Sequence, residues 1–319
     1  MHEALQSLDA IRLNFNPGGL LILNITLAFI MFGVALEIKV QHFKNILLMP
    51  KAFITGFLSQ FLLLPLVTFL LTLILGKWIT PTIAMGMILV AACPGGNVSN
   101  FISSLAKGNV ALSVSLTALA TLSAIILTPL NFALYGDLYT KILSRTDAQA
   151  LLQPLEIPLP QVFQTVFILL GLPLILGMLV NWKFPRFTQI ITKPIRIFSI
   201  LSFTAMVVLA FINNYEYFWA NILYIFIIVL IHNSTGFLTG YGAGRIMKLK
   251  RQDSRTISIE TGIQNSGLAL VMLFNPKIFP PELAVGGMAF IAAWWGIWHI
   301  LAGMSIASLW SLRKEAVNS

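Results

Sequence analysis

Residues 91–100 read Ala91-Ala92-Cys93-Pro94-Gly95-Gly96-Asn97-Val98-Ser99-Asn100. They interrupt an apolar run, about 80–106, that is otherwise long enough to cross a bilayer as a helix. Pro94 lacks an amide hydrogen, and its ring clashes with the carbonyl four residues earlier. Gly95 and Gly96 make unwinding easy. A second run, about 254–275, is broken in the same manner by Ile259-Glu260-Thr261-Gly262-Ile263-Gln264-Asn265-Ser266-Gly267. Backbone opened in hydrocarbon must find partners in protein, water or ions, so each break is either a packed kink, with Ser and Asn bridging helices, or part of a site.

The rest of the chain sets the medium. Of 319 residues, 57% are apolar and only 10% charged, against about 25% charged in soluble domains. That excludes a soluble enzyme, and the hydrophobicity excludes disorder. Cys93 is the only cysteine, which excludes a disulfide scaffold, a zinc ribbon and a redox pair. The net charge of +9 comes from single basic residues scattered between apolar runs, without a basic stripe, so nucleic acid is not an expected partner. Residues 1–14 contain Glu3 and Asp9 and lack a basic start with an apolar run, so no cleavable signal peptide is expected. The expected fold is all-α: a polytopic membrane protein in contact with lipid.

Nine transmembrane helices are expected, at about 18–38, 52–75, 80–106, 109–135, 159–181, 194–213, 217–244, 254–275 and 283–311. Pro65, Pro129 and Pro173 lie inside runs and should kink or open their helices. With the amino terminus outside, inner segments hold 15 of the 20 Lys and Arg, leaving Arg12, Lys77, Lys141, Arg145 and Lys277 outside. That distribution predicts an outer amino terminus, a cytoplasmic carboxyl terminus and a cell-membrane location. The connection 137–158, carrying Asp137, Asp147, Glu156, Pro154 and Pro158, separates a first half, 1–136, from a second, 159–319. Four spans precede it and five follow. The interrupted span is second to last in each half, which points to inverted repeats and a transporter with a midplane site.

Glu260 is the one acidic residue inside an interrupted stretch, and a bare carboxylate in hydrocarbon is very costly. It either stays protonated as a hydrogen-bond hub or binds a cation. Oxygen donors suit a hard cation such as sodium. The donors that could face Glu260 are Ser99, Asn100, Ser113 and Thr117, the last two four residues apart on one helical face, with Gln60 and Gln264 beside them.

At these residues the chain resembles the bile acid:sodium symporter family. The likeness extends from about residue 20 over nearly the whole chain. It is strongest in Cys93–Asn100, in Gly108-Asn109-Val110-Ala111-Leu112-Ser113, in His232-Asn233 and in Glu260–Gly267. The resemblance implies panel and core domains, with two discontinuous helices crossing in the core, and a nine-helix form lacking the first helix. It implies two sodium ions, one among Ser99, Asn100, Ser113, Thr117 and Glu260. The other would lie among Gln60, Glu260, Gln264 and the backbone oxygens of Thr261 and Ile263. Near the last span the family often shows Trp-His-Asn lining the substrate cavity. Here Trp298-His299-Ile300 drops one polar contact, so the likeness speaks less for bile acid than for sodium coupling.

The expected activity is sodium-coupled import of an organic anion by alternating access, with Asn97, Asn265 and His299 as candidate substrate contacts. Proton coupling through Glu260 and uncoupled anion transport are alternatives. A membrane-embedded enzyme is the reading from another class, and the sequence offers no zinc-protease motif, second intramembrane acid or nucleophile elbow for it. No obligatory protein partner is evident.

Overall fold

A computed structural model describes residues 2–9, 17–146, 157–213, 215–280, 283 and 285–312. Arg12, Asp147, Pro154, Glu156, Glu282, Arg313 and Lys314, and the middle of the expected outer connection, lie outside them. The described chain is helical: α1 His2–Asp9, α2 Pro17–Glu37, α3 Val40–Leu48, α4 Pro50–Leu58, α5 Leu64–Leu75, α6 Pro81–Ala92, α7 Val98–Leu105, α8 Val110–Thr146, α9 Leu159–Val166, α10 Leu172–Lys183, α11 Pro185–Asn213, α12 Tyr215–Ile246, α13 Arg251–Gly262, α14 Ser266–Leu273 and α15 Gly286–Leu312. Five described segments have the length and apolarity to cross a membrane: Pro50–Leu75, Val110–Arg145, Leu159–Lys183, Asn221–Ile246 and Gly286–Leu312. Asn24–Glu37 and Pro81–Ala92 are shorter apolar helices. Leu62, Leu66, Leu70 and Ile74 are exposed along one helix, and Ile126, Leu130 and Leu134 along another. Apolar rows of that kind suit lipid and not water.

The prolines act unequally. Wide π-helical turns, Ser59–Leu63 and Phe167–Gly171, precede Pro65 and Pro173. Pro65 removes the amide that would satisfy the Phe61 carbonyl, and Asn131 of α8 donates to that carbonyl instead, at 2.9 Å. Pro129 sits in α8 without ending it. That helix continues to Thr146, beyond its expected end at 135, and an exposed Asp137–Lys141 pair at 2.6 Å, one turn apart, decorates the extension. Two further helices, α1 and α3, fall where loops were expected.

Close packing fixes α12 against α13. A methyl on Gly240 would lie 2.5 Å from the Ile257 carbonyl oxygen and 2.8 Å from the Ser258 Cα, so only glycine permits this approach. The contact holds the helix carrying Glu260 in register against its neighbour.

Candidate functional site: an oxygen cluster at a helix crossing

Both expected breaks are present. The residue before a proline is pushed to extended backbone, and Cys93 has φ −72° and ψ 158°, so α6 stops at Ala92. Ile263 is likewise extended, at φ −103° and ψ 105°, and ends α13. The two opened segments run antiparallel and stitch to each other. Gly96 N–H donates to the Ile263 carbonyl at 2.9 Å, and Asn265 N–H donates to the Pro94 carbonyl at 2.8 Å. Each break thus supplies the hydrogen-bond partners the other has lost.

Glu260 lies in the last turn of α13, 3% exposed. Its Oε1 accepts from Ser99 Oγ at 2.6 Å and from Ser113 Oγ, and its Oε2 from Thr117 Oγ1 at 3.0 Å. Asn100 Oδ1 joins the group, accepting from Ser113 at 2.9 Å and Thr117 at 3.2 Å. α7 brings Ser99 and Asn100, α8 brings Ser113 and Thr117, and α13 brings the acid. Ser103 was not anticipated: it is fully buried, its hydroxyl is 3.2 Å from that of Ser113, and it lies one turn beyond Ser99 and Asn100 on α7. Its helical spacing from Asn100 was the available signal.

A basic residue lies one turn and a half before Glu260 on the same helix. Arg255 of α13 is 6% exposed, but its guanidinium donates to the Ala106 carbonyl at 3.1 Å and stands 5.9 Å over the Trp310 ring. The partners of the Glu260 carboxylate are hydroxyls. Gly95 borders the carboxylate too, since a methyl there would lie 3.3 Å from Glu260 Oε2. Six oxygens from five side chains on three helices, with a glycine keeping one side open, fit a hard monovalent cation: the hydroxyl protons need only turn away for their lone pairs to face the ion. Among the described residues no group of three or more His, Cys, Asp or Glu gathers, so a transition-metal centre has no ligand set there.

The other expected ion ligands sit alongside. Gln60, in the π-turn before Pro65, donates to the Cys93 carbonyl at 3.0 Å and to Gln264 Oε1 at 2.8 Å. Gln264 donates to the Thr261 carbonyl at 2.7 Å. Ile263 and Thr261 carbonyls therefore each already accept one N–H, with a second lone pair remaining.

A cavity of about 770 Å³ opens beside the cluster. Asn97, Asn100 and Thr117 line one side of it, Val34, Leu36 and Ile38 of α2 and the α2–α3 junction another, and Asn181, Thr188, Gln189 and Thr192 of α10 and α11 a third. Lys39, His42 and Lys193 also line it, residues that the charge distribution assigns to the inner side. Burial, then Lys39, holds the His42 imidazole below its ordinary value, and its Nδ1 accepts from Lys39 N–H at 3.2 Å. Of the three candidate substrate contacts, Asn97 lines this cavity and is exposed, at the uncapped start of α7. Asn265 instead caps α14, accepting from Leu268 N–H at 3.1 Å. His299 is buried in α15 at 6% exposure, with no hydrogen-bond partner for its Nδ1. Neither is among the residues lining the cavity. The His232-Asn233 pair is structural in its contacts: His232 Nε2 is 2.9 Å from Thr68 Oγ1 and its ring packs on Trp295, while Asn233 donates to the Gly262 carbonyl at 2.7 Å, at the break itself.

A lipid-facing exterior, two helices broken at one crossing and a buried oxygen cluster beside a wide cavity define a multi-pass membrane protein with a polar centre inside its helix bundle. Residues 24–221 match the model of the Sodium Bile acid symporter family. The chain is 32% identical over 293 residues to an uncharacterized sodium-dependent transporter, YocS, of Bacillus subtilis, covering 92% of this chain and 84% of that one. It is 30% identical over 288 residues to the ileal sodium/bile acid cotransporter of Oryctolagus cuniculus (87% and 78% covered). It is 31% identical over 293 residues to the probable sodium/metabolite cotransporter BASS1, chloroplastic, of Arabidopsis thaliana (91% and 66%). The chain belongs to the sodium bile acid symporter family, and so to the sodium-dependent membrane transporters.

Proposed function

We propose that the protein imports an organic anion together with two sodium ions by alternating access. One ion occupies the Ser99, Asn100, Ser113, Thr117 and Glu260 cluster. The second lies among Gln60, Glu260, Gln264 and the carbonyls of Thr261 and Ile263, so Glu260 serves both. The observation that carries this reading is the Glu260 carboxylate, buried at the crossing with three hydroxyls as its partners. An isolated buried charge is unfavourable by several kcal/mol, and a cation relieves it.

Asn100 and Thr117 belong at once to the oxygen cluster and to the cavity wall. That shared wall gives sodium and anion a physical means of coupling: filling the ion site orders the surface the anion meets, and by linkage the anion favours sodium equally. The start of α7 at Asn97, without a side-chain cap, presents the positive end of the helix dipole. Asn265 and His299 would enter only in a conformation with the cavity open to the other side. Halves 1–136 and 159–319 act as inverted repeats around the connection 137–158, with nine crossings, the amino terminus outside and the carboxyl terminus cytoplasmic. Panel and core shift past one another to move the cavity opening.

The test uses purified protein in lipid nanodiscs and compares thermal stability in sodium and potassium chloride at equal ionic strength. Binding to the native state stabilises by mass action, about 2.7 kcal/mol at a hundred times the dissociation constant. Sodium should raise the melting temperature above potassium, and Glu260→Gln should abolish the difference. An identical sodium response in Glu260→Gln would overturn the role given to the carboxylate.

A further inference from the structure

The junction of α12 and α13 reads Arg245-Ile246-Met247-Lys248-Leu249-Lys250-Arg251, with four basic residues and no acid. Other inner segments space their charges more widely, as in Lys39, Lys44 and Lys51 or Lys183, Arg186 and Lys193. All four basic residues of the junction are exposed, and among the described residues none forms an ion pair. Two apolar residues are exposed beside them, Ile246 at 80% and Met247 at 44%. The membrane-crossing segment Asn221–Ile246 ends at this point. Ile246 and Met247 therefore meet the edge of the hydrocarbon, and the charges meet the headgroups.

The junction is a fixed turn. Leu249 N–H donates to the Gly244 carbonyl at 2.9 Å and Lys248 N–H to the Arg245 carbonyl at 3.0 Å. Arg245 Nη1 braces it by donating to the Leu249 carbonyl at 3.3 Å. A methyl on Gly244 would lie 2.9 Å from the Ser254 Cα, so the turn is packed directly on α13. Two of the charges also oppose helix electrostatics. Lys250 is the residue before α13, without a side-chain cap, and Arg251 is the first of the helix. Cations are disfavoured at that positive end of the dipole. Asp253, the acid of the first turn, accepts from Asn109 Nδ2 at 2.8 Å. Local rules broken in this way mark functional positions, and a bound anion relieves both the dipole and the mutual repulsion of the charges.

We infer that the α12–α13 junction binds an anionic glycerophospholipid, its phosphate among Lys248, Lys250 and Arg251 and its acyl chains along Ile246 and Met247. The site is separate from the sodium and anion sites, and it rests on the orientation proposed above only for the leaflet, the cytoplasmic one. Because α13 carries Glu260 in its last turn, the lipid anchors that helix at the membrane surface.

The experiment titrates the full chain, in a neutral detergent and potassium chloride, with phosphatidylglycerol or with phosphatidylcholine of the same acyl chains, reading thermal stability. Each basic residue near an anionic lipid surface contributes about fivefold in binding. Wild type should bind phosphatidylglycerol at least about tenfold more tightly than phosphatidylcholine. The Lys248→Asn/Lys250→Gln/Arg251→Gln variant should lose that preference. Lys44→Gln/Lys183→Gln/Arg186→Gln, which removes as many charges from other inner segments, should keep it. Lys250→Gln/Arg251→Gln alone should melt higher than wild type in phosphatidylcholine, by relief of the dipole, and still respond less to phosphatidylglycerol. No preference in wild type, or an equal loss in the two triple variants, overturns the site, the second outcome meaning that overall charge alone attracts the lipid. Equal stabilisation by millimolar glycerol 3-phosphate would overturn the lipid assignment, since the acyl chains would then contribute nothing.

Discussion

Glu260 gathers the largest consequences of any single side chain. Ser113 and Thr117 should be separable from it by degree: replacing either by Ala removes one oxygen while leaving the acid, and should raise the sodium concentration for half-maximal stabilisation by about tenfold, equivalent to about 1.4 kcal/mol. Unchanged sodium curves in both variants would return these hydroxyls to helix packing. Asn131 poses a different question. Its amide meets the Phe61 carbonyl that Pro65 has orphaned, so Asn131→Leu should lower stability by about 1–3 kcal/mol, read as a fall in denaturation midpoint. Much of this residue-level pattern was legible beforehand. Ser99, Asn100, Ser113, Thr117 and Glu260 stood out because oxygen-bearing side chains are conspicuous in apolar runs. Ser103 and Asn131 did not, because their significance depends on what lies across from them.

At the scale of elements, helix ends and helix approaches are the sensitive points. α12 ends in a six-to-one and five-to-two pair of hydrogen bonds, Leu249 N–H to Gly244 and Lys248 N–H to Arg245, with Lys248 at φ 54°. That is the position glycine ordinarily takes. Lys248→Gly should therefore stabilise the protein by about 1 kcal/mol, seen as a higher melting temperature. Gly240→Val should act in the opposite direction, since its Cβ would press on the α13 backbone; overpacking of this kind costs about 1–3 kcal/mol. The same substitution should weaken sodium binding, because α13 carries Glu260. The broken helices were readable from Pro94-Gly95-Gly96 and from the polar run at Glu260–Ser266. The end of α8 was not: nothing local halts a helix at 135, so it continues to Thr146.

For the molecule as a whole, the cavity's position relative to the membrane is the property to test. Cys93, the lone cysteine, is fully buried, so unmodified protein should be inert to a membrane-impermeant maleimide. Gln189→Cys, in the cavity wall, should label from the cytoplasmic face of vesicles and not from outside. Labelling from outside alone would reverse the orientation assigned here. Under the proposed import of two sodium ions with one monovalent anion, net charge moves inward, worth about 2.3 kcal/mol per charge per 100 mV. Uptake into proteoliposomes should accordingly quicken when the interior is made negative.

Composition and hydropathy by themselves established an all-helical membrane protein, since so few charges leave most of the surface nowhere but in lipid, and they located two breaks, since proline, glycine and buried polar residues disturb a helix wherever it goes. Which oxygens meet was decided only by the tertiary structure. Ser113 and Glu260 are 147 residues apart in sequence, and their contact follows from the antiparallel stitching of two opened segments and the glycine-tight approach of α12 and α13. Pairings of that range depend on how helices cross, a property of the packed bundle that no local periodicity encodes.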